Sequence, residues 1–310
     1  MIAVPTVAAA LSWADQRLSA AGVEDGRLEA RILLEHCLGL TRAQLLCQPG
    51  HPLTPRELGA YRALVARRAD REPLAYVVGH WEFLGLDFAV DSRVLVPRPE
   101  TELLVEEALK VLQEVFGRGI DAASVRDTRR DPGALRFDGG HGLQARVADV
   151  ATGSGVIAVS LAVRRPDVLV YALDISSDAL AVAAENAHRH GVSRRVVLLQ
   201  GDLLQPLPEP VDVIVANLPY VSSADLVDPQ PEVAREPRLA LDGGPDGLEL
   251  LRRLIGQVSR LLLPGGALLL EIGASQGPAV VALARQAFPG ASIRLVADYA
   301  GLDRVVVVRP

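Results

Sequence analysis

From residue 6 to about residue 70, apolar positions recur at steps of three and four, a spacing that predicts amphipathic helices. The stretch "GRLEARILLEHCLGL" is a clear example, and Gly39 at its end is a suitable terminator. A later helix should begin at Thr54, with Thr54 as the N-cap and Pro55 as its first residue. The chain therefore opens with a small helical bundle.

The pattern changes after Pro73. In "LAYVVGHWEFLGLDFAV", β-branched and aromatic residues are interrupted by Gly79 and Gly85, which predicts a short β-hairpin instead of further helix. The next stretch, "VLVPRPETELLVEEALKVL", places two prolines ahead of an amphipathic helix. We therefore divide the chain into a helical domain (1–80), a β-hairpin linker (81–97) and a second domain (98–310).

In the second domain, short apolar runs alternate with helical stretches. The runs are "RVADV", "LVYALD", "VVLLQGD", "VDVIVAN", "GALLLEIG", "ASIRLVAD" and "RVVVVRP", and helices should begin at Val156, Ser177, Leu248 and Gln276. Strands that alternate with helices form a mostly parallel sheet that is covered on both faces. The fold class is α/β, doubly wound, with the helical bundle joined to it by the hairpin.

Composition limits the possible partners and compartments. The net charge is −6, the pI is about 5.6 and Lys110 is the only lysine, which is not the profile of a protein that holds duplex nucleic acid through its phosphates. Cys37 and Cys47 form no CxxC motif and should be reduced core residues of a cytoplasmic protein. We expect no signal peptide, no membrane span, and an exposed loop insert at 117–143, which is rich in Gly, Asp and Arg.

A sheet of this kind binds ligands beyond the carboxyl ends of its strands. The strand in "ADVATGSG" ends at Val150 and is followed by a turn of small residues that lets a ligand approach the backbone, although such a turn can also be merely structural. Asp174 ends the next strand, 19 residues after Gly155, where a carboxylate can accept hydrogen bonds from both ribose hydroxyls of a nucleoside. Capping of the following helix is the alternative role, but Ser177 and Asp178 can serve it.

The glycine spacing indicates which nucleoside cofactor binds. A nicotinamide fold needs G-x-G-x-x-G for the pyrophosphate, whereas "DVATGSG", with Asp149 at the strand end, is nearer the acidic-x-G-x-G-x-G turn of S-adenosylmethionine enzymes. At the third strand end, Asp202 and Leu203 should lie beside the adenine, although Asp202 is also explained as a surface carboxylate.

The fourth strand runs into "NLPY". Asn217 offers a side-chain carbonyl, and Pro219 cannot donate a hydrogen bond, which leaves the Leu218 carbonyl available to a ligand, while Tyr220 supplies an aromatic wall. Two such acceptors can bind both N–H bonds of a planar amino or amide group and orient its nitrogen for methylation. The alternative is a proline turn with a buried tyrosine.

The linked motifs resemble the HemK/PrmC family of protein-(glutamine-N5) methyltransferases over nearly the whole chain. The matching stretches are "ARILLEHCLGLTRAQLL", "EPLAYVVGHWEFLGLDFAVDSRVLVPRPETELLVEEAL", "ATGSG", "DISSDAL", "NLPY", "EPRLALDGGPDGLELLRRLI", "LEIGASQG" and "DYAGLDRVVVV". The resemblance implies a seven-stranded methyltransferase sheet and transfer of methyl from S-adenosylmethionine to the glutamine of the Gly-Gly-Gln loop in peptide chain release factors. It also implies that the helical domain docks the partner.

The resemblance assigns roles residue by residue. It implies cofactor contacts for Ala151, Thr152, Gly153, Ser154, Gly155, Asp174, Leu203 and Asn217, glutamine binding for Asn217, Leu218, Pro219 and Tyr220, and a linker near the cofactor for Arg98, Pro99, Glu100 and Thr101. Glu236 and Pro237 should border the site or cap a helix. His188 and His190 point different ways on a helix, and we expect no metal.

The chain departs from the family pattern at two positions. Leu218 replaces the first proline of N-P-P-Y, and Ala151 replaces the first glycine of G-T-G-S-G. Leucine can still offer its carbonyl, whereas alanine is tolerated only if residue 151 needs no positive φ. Activity should be retained but slower.

Three other functions stay open. An adenine-N6 DNA or guanine-N2 RNA methyltransferase would use the same motif on a flipped base. A binding module that has lost catalysis is supported only by the two departures. A nicotinamide dehydrogenase lacks its third glycine, Tyr-x-x-x-Lys and catalytic histidine. We expect a monomer without a direct nucleic-acid or membrane partner.

Overall fold

The structure, a computed structural model, describes residues 5–117 and 145–310. Apart from Gly117, the loop insert predicted at 117–143 lies outside the described residues. The chain forms two compact units. The first comprises the chain up to Trp81 together with Pro229–Arg235, and the second comprises Glu82–Asp228 and Glu236–Pro310.

The first unit is helical, as the apolar spacing predicts. Thr54 accepts a hydrogen bond from the Glu57 backbone, the Glu57 side chain reaches back to Thr54, and Pro55 is the first residue of the helix, so this predicted start is confirmed. Gly39 ends its helix with a left-handed φ of 64°, as expected. The helices are α1 (Val7–Ala20), α2 (Gly26–Leu38), α3 (Arg42–Cys47), α4 (Pro55–Ala69) and α5 (Leu74–Val78).

Tyr61 of α4 is at the centre of the first unit's core. Its side chain is fully buried, and its hydroxyl donates to the Ala30 carbonyl of α2 at 2.8 Å, so the phenol is satisfied without water. Cys37 packs partly buried against this core, as predicted. Cys47 is exposed at the end of α3, so its prediction as a core residue was wrong. A periodicity of three and four cannot locate the core face of a six-residue helix.

The region after Pro73 forms one more short helix before the hairpin. Residues 74–78 are helical and end at Gly79, which has φ 78°, so the prediction of hairpin throughout was wrong at its start. Five residues carry too few periods for the sequence to distinguish a helical turn from a strand. The predicted hairpin follows as β1 (His80–Phe83) and β2 (Leu86–Ala89), which pair in a two-stranded sheet.

The second unit is the predicted doubly wound α/β fold. Its helices are α6 (Thr101–Phe116), α7 (Val156–Arg164), α8 (Ser177–Arg189), α9 (Glu249–Val258) and α10 (Gly277–Ala287). Its strands are β3 (Ala145–Val150), β4 (Val168–Asp174), β5 (Val196–Gln200), β6 (Val211–Ala216), β7 (Leu262–Glu271), β8 (Ser292–Ala297) and β9 (Asp303–Arg309).

The strand order of the sheet determines where a ligand can bind. The order is β5-β4-β3-β6-β7-β9-β8, with β3, β4, β5, β6 and β7 parallel and β9 antiparallel to both β7 and β8. The chain winds outward from β3 in one direction and continues from β6 in the other, so the order reverses between these two strands. A crevice is expected where β3 and β6 end, which is at Val150 and Ala216.

The segment Pro229–Arg235 belongs to the helical unit, although the predicted boundaries placed it in the second domain. Glu232 accepts hydrogen bonds from Arg71 at 2.7 Å and forms an ion pair with buried Arg68 at 2.8 Å. Arg235 pairs with Asp70 at 2.6 Å. Charge pairs between residues so distant in sequence leave no periodic signal, so the pattern could not reveal this segment.

Within the described part of the chain, no helix is both long enough and apolar enough to cross a lipid bilayer.

Candidate active site

A cavity of about 260 Å³ lies in the second unit beyond the carboxyl ends of β3, β4 and β6. Its wall combines glycine-rich backbone, apolar side chains and a few polar groups, which suits a small organic ligand. Nine of the eleven predicted site residues line it: Ala151, Thr152, Gly153, Ser154, Asp174, Leu203, Asn217, Leu218 and Pro219.

The turn after β3 has a left-handed backbone at three positions. Ala151 has φ 61°, Gly153 has 55° and Gly155 has 81°. Gly155 does not line the cavity: it is the N-cap residue before α7, where an added Cβ would lie 3.1 Å from the Cβ of Ala183 on α8. Both the left-handed φ of Gly155 and this close approach to α8 favour glycine at the position. The condition for a tolerated alanine at residue 151 is not met, because L side chains disfavour this φ.

Asp149 supports this turn from inside the sheet. Its carboxylate is fully buried and accepts hydrogen bonds from the Thr152 hydroxyl at 2.6 Å and from the Ala158 backbone at 3.0 Å. Burial raises the pKa of Asp149 to about 7, and the nearby charge of Asp174 adds to this effect. The turn is therefore held by a carboxylate that titrates near neutral pH.

Asp174, the last residue of β4, faces the cavity. One carboxylate oxygen accepts from the Gly153 backbone and the other from the Ser176 backbone, both at 2.9 Å. Burial raises its pKa from the usual value, although these bonds oppose the rise. The cap of α8 is Ser176, whose hydroxyl accepts from the Ala179 backbone at 3.2 Å, so the prediction of Ser177 and Asp178 as caps was off by one or two residues.

The loop after β5 contributes an apolar contact and an ion pair. Leu203 is buried at the cavity wall with a left-handed φ of 51°, and the amide of the next residue donates to the Gln257 side chain at 3.0 Å. Asp202 also lines the cavity and pairs with Arg253 of α9. Leu203 is thus held in a strained conformation at the ligand cavity, as is Ala151.

Asn217 directly follows β6, and its side-chain amide is oriented. Its Nδ2 donates to the Thr101 Oγ1 at 3.1 Å, so its Oδ1 is the free end of the amide. Thr101 begins α6 and lines the cavity beside Arg98, whereas Pro99 and Glu100 of the same linker do not. A carbonyl acceptor at this position is what the sequence predicted.

The backbone after Asn217 is fixed by close packing. Leu218 and Pro219 are buried at the cavity wall, and an added Cβ at Gly243 would lie only 2.6 Å from the Pro219 carbonyl oxygen. Tyr220 does not line the cavity, unlike its predicted role as an aromatic wall, and its backbone carbonyl accepts from Gln276 at 3.0 Å. Burial raises the pKa of the Tyr220 hydroxyl.

Each arginine that lines the cavity forms an ion pair with a carboxylate. Arg93 pairs with Asp91 at 2.6 Å, Arg98 with buried Glu236 at 2.7 Å, and Arg253 with Asp202. Glu236 therefore anchors the linker, and Pro237 next to it borders the cavity, as predicted for this pair. The positive charge of each of these arginines is thus paired with a carboxylate of the protein itself.

The predicted histidines are remote from this chemistry. His190 directly follows α8, and its Nε2 lies 2.9 Å from the Asp87 carbonyl oxygen. Neither His190 nor His188 lines the cavity. Within residues 5–117 and 145–310, no group of three His, Cys, Asp or Glu side chains is arranged to hold a metal ion.

The sequence reasoning missed several contributors to the site. Leu239 and Ala240 line the cavity from a single 3-10 turn, and Ile175 follows Asp174 directly. Ile175 could have been found, because it adjoins a predicted ligand. The two others come from an aperiodic loop, and no pattern identifies them. Glu271, at the end of β7, was not recognised as a polar group beside Asn217, although its place at a strand end was a signal.

Comparison with known proteins agrees with this architecture. Residues 9–79 match the model of the PrmC N-terminal domain, and residues 143–303 match that of a methyltransferase domain. The chain is 44% identical over 300 residues to the release factor glutamine methyltransferase of Moorella thermoacetica, covering 96% of each chain. It is 42% identical over 304 residues to that of Geobacter sulfurreducens, covering 97% of this chain and 95% of the relative.

Proposed function

We propose that this protein methylates the side-chain N5 of the glutamine in the Gly-Gly-Gln motif of peptide chain release factors, with S-adenosylmethionine as the methyl donor. The basis is that the chain belongs to the family of release factor glutamine methyltransferases. The observation that carries the proposal is the Asn217 amide, held by Thr101 with its carbonyl oxygen free at the cavity.

The lining of the cavity fits S-adenosylmethionine. Asp174 can accept hydrogen bonds from ribose hydroxyls through lone pairs not used by its backbone donors, and Ile175 and Leu203 provide apolar surface for an adenine. When bound, the cofactor supplies an electrophilic methyl group on a sulfonium.

The protein's own contribution is to orient and polarise the glutamine amide. In this proposal Asn217 Oδ1 and the Leu218 carbonyl accept the two N–H bonds of that amide, so its nitrogen points at the methyl carbon. Positive charge develops on the nitrogen as the N–C bond forms in an in-line displacement and the C–S bond breaks, and one N–H proton then leaves to solvent. Preorganised acceptors stabilise this charge, and removing one such group typically costs about 100- to 1000-fold in rate.

The proposal extends to partner and organisation. We assign release factor docking to the helical domain, residues 1–80, joined by the linker at 81–97 to the methyltransferase domain, 98–310. The match of residues 9–79 to the PrmC N-terminal domain supports this division. We further propose that the protein acts as a monomer in the cytoplasm, with no direct nucleic-acid contact, in line with its net charge of −6.

The test is intact-mass spectrometry of an unmodified bacterial release factor incubated with the protein and S-adenosylmethionine. We expect the mass of one methyl group to be added, and peptide mapping should locate it on the Gly-Gly-Gln glutamine. Asn217→Ala should leave no detectable gain in the time the wild-type reaction takes, while cofactor binding, measured by calorimetry, weakens far less than the rate.

Two controls define the acceptor. A release factor with glutamine replaced by glutamate in this motif should not be methylated, because glutamate has no side-chain nitrogen. If wild-type protein binds S-adenosylmethionine but methylates no release factor, the proposed substrate is wrong, and methylation of DNA or RNA would support the base methyltransferase instead. Failure to bind the cofactor would favour a binding module.

A further inference from the structure

Glu271 is a buried carboxylate directly behind the Asn217 amide. It is the last residue of β7, and the parallel register that pairs Ala216 with Leu270 places Asn217 opposite Glu271. Glu271 is only 1% exposed and does not line the cavity. Within the described part of the chain, neither of its carboxylate oxygens makes a hydrogen bond of regular geometry, which is rare for a buried charged group.

The surroundings of Glu271 are partly polar. Burial raises its pKa to about 7. The side chains of Thr101 and Asn217, as nearby hydrogen-bonding groups, and the charge of Arg304 oppose this rise, whereas the charge of Glu100 adds to it. Tyr220, whose hydroxyl is buried, also senses the charge of Glu271. The groups that face Glu271 thus come from the start of α6, from the loop after β6 and from β9. Among them, Thr101 and Asn217 are the two that already contact each other.

The Thr101 hydroxyl can connect these two groups. It accepts from Asn217 Nδ2 at 3.1 Å through an oxygen lone pair, so its own proton is available for a different acceptor. An ionised Glu271 has only lone pairs to offer and is the acceptor this proton needs. Asn217 then donates to Thr101, Thr101 donates to Glu271, and each bond polarises the next.

We propose that Glu271 is a positioning residue, which orients the Thr101 hydroxyl and through it keeps the Oδ1 of Asn217 turned toward the acceptor substrate. The inference rests on the proposed function, because the substrate is the amide that Asn217 would bind. A protonated Glu271 donates to Thr101 and competes with Asn217 Nδ2. The Asn217 amide is then free to flip, which turns its Nδ2 and not its Oδ1 toward the substrate. Two hydrogen-bond donors then face each other, so the substrate amide does not bind in the reactive orientation.

The kinetic test uses variants of similar volume. Glu271→Gln should lower kcat by about 10- to 100-fold, less than full loss of the Asn217 acceptor, while the S-adenosylmethionine Kd stays within about twofold. Thr101→Val, which removes the hydroxyl, should lower kcat by a similar factor. Thr101→Ser, which keeps the hydroxyl, should retain most of the wild-type kcat. In an Asp149→Asn background, which lacks the other carboxylate whose pKa is raised to about 7, kcat should fall as the pH is lowered through about 7, and Glu271→Gln should remove this dependence.

A spectroscopic test needs no acceptor substrate. The chain has two asparagines, Asn186 and Asn217, so selective labelling of the asparagine side-chain nitrogen gives only two NH₂ groups in an NMR spectrum. Asn186 is an internal control, since it is fully buried and donates to the carbonyls of Ala89 and Ser154 at 3.0 and 2.8 Å. The Asn217 resonances should titrate near pH 7 in wild-type protein and not in Glu271→Gln. Those of Asn186, whose partner Ser154 lies in the turn held by Asp149, should respond to pH identically in both proteins.

The results separate this inference from the proposed function. An active wild-type enzyme whose kcat and pH profile are unchanged by Glu271→Gln would overturn the inference and leave the function standing. If no release factor is methylated, the function fails, and the Asn217 titration still decides the inference. Asn217 resonances that do not change between pH 6 and 8 in wild-type protein would refute it even if Glu271→Gln failed to fold. A titration of Asn217 that persists in Glu271→Gln would come from another carboxylate and would also refute it.

Discussion

Ala151→Gly tests whether the strained turn at the cofactor cavity limits stability. Ala151 is half-buried and has φ 61°, a conformation that costs an L residue about 1–2 kcal/mol relative to glycine. Against this, glycine gives the unfolded chain more conformational entropy than alanine does, which lowers the free energy of unfolding by about 0.4–1 kcal/mol. Removing a half-buried methyl loses about 0.4 kcal/mol more. The expected net effect is a gain of about 0.5 kcal/mol in the free energy of unfolding.

Ala240→Gly is the matched control. Ala240 is also half-buried at the cavity but lies in a 3-10 turn without positive φ. Its replacement by glycine therefore raises the entropy of the unfolded chain and removes a half-buried methyl, but relieves no left-handed strain. It should lose about 1 kcal/mol. The difference between the two variants, about 1.5 kcal/mol, isolates the left-handed strain at Ala151.

Urea unfolding followed by far-UV circular dichroism measures both variants. Both tryptophans, Trp13 and Trp81, belong to the helical unit, so their fluorescence in the same titration reports on a region that neither substitution touches. If Ala151→Gly and Ala240→Gly destabilise the protein equally, the strain attributed to residue 151 is absent and the reasoning is refuted.

Three further predictions concern the cavity. Asp174→Asn should weaken S-adenosylmethionine binding by about 10- to 150-fold in calorimetry, because a charged hydrogen bond worth about 1.5–3 kcal/mol is lost. Asp178→Asn, at an exposed position, should leave the affinity unchanged. Equal affinities of the two variants would exclude Asp174 as a ribose ligand. The pKa of Asp149 is raised from 3.8 to about 7 in the folded state, so the folded protein binds more protons than the unfolded chain between pH 4 and 7. The free energy of unfolding of wild-type protein, relative to that of Asp149→Asn, should therefore fall by up to about 4 kcal/mol as the pH rises from 4 to 7, and then level off. A difference between the two proteins that does not change with pH in urea titrations would contradict this. Leu218→Pro should retain methyl transfer in the mass assay, because the acceptor is a backbone carbonyl that proline also has, and an inactive variant with normal cofactor affinity would show that the leucine side chain is required.

The sequence predicted the α/β unit well, because buried parallel strands and amphipathic helices have strong and different periodicities. It also located the polar residues at or just after the ends of β3, β4 and β6, since a strand end is visible in the pattern. Nine of the eleven predicted site residues line one cavity. Tyr220 and Gly155 do not, because whether a side chain at a strand end or turn faces a ligand or a neighbouring helix depends on packing, not on order in the chain.

Other features depend on contacts that no local pattern encodes. The left-handed φ of Ala151 is set by the turn as a whole, and an alanine in the sequence gives no indication of a positive φ. The link between Thr101 and Asn217 joins residues 116 positions apart in sequence. Glu271 ends an apolar strand, and only the register with β6 reveals that it lies behind the proposed acceptor.

The ion pairs of Glu232 have a consequence for synthesis on the ribosome. Arg71 is made 161 residues before Glu232, which at about 5–20 residues per second is a delay of roughly 10–30 s. During this time Arg68 can already pair with Glu29, and Arg71 can donate to the carbonyls of Ala21 and Gly22. Both arginines still lack Glu232, which has not yet been translated. The helical unit therefore leaves the ribosome as a nearly finished fold and is completed only after most of the other unit's sheet has been translated.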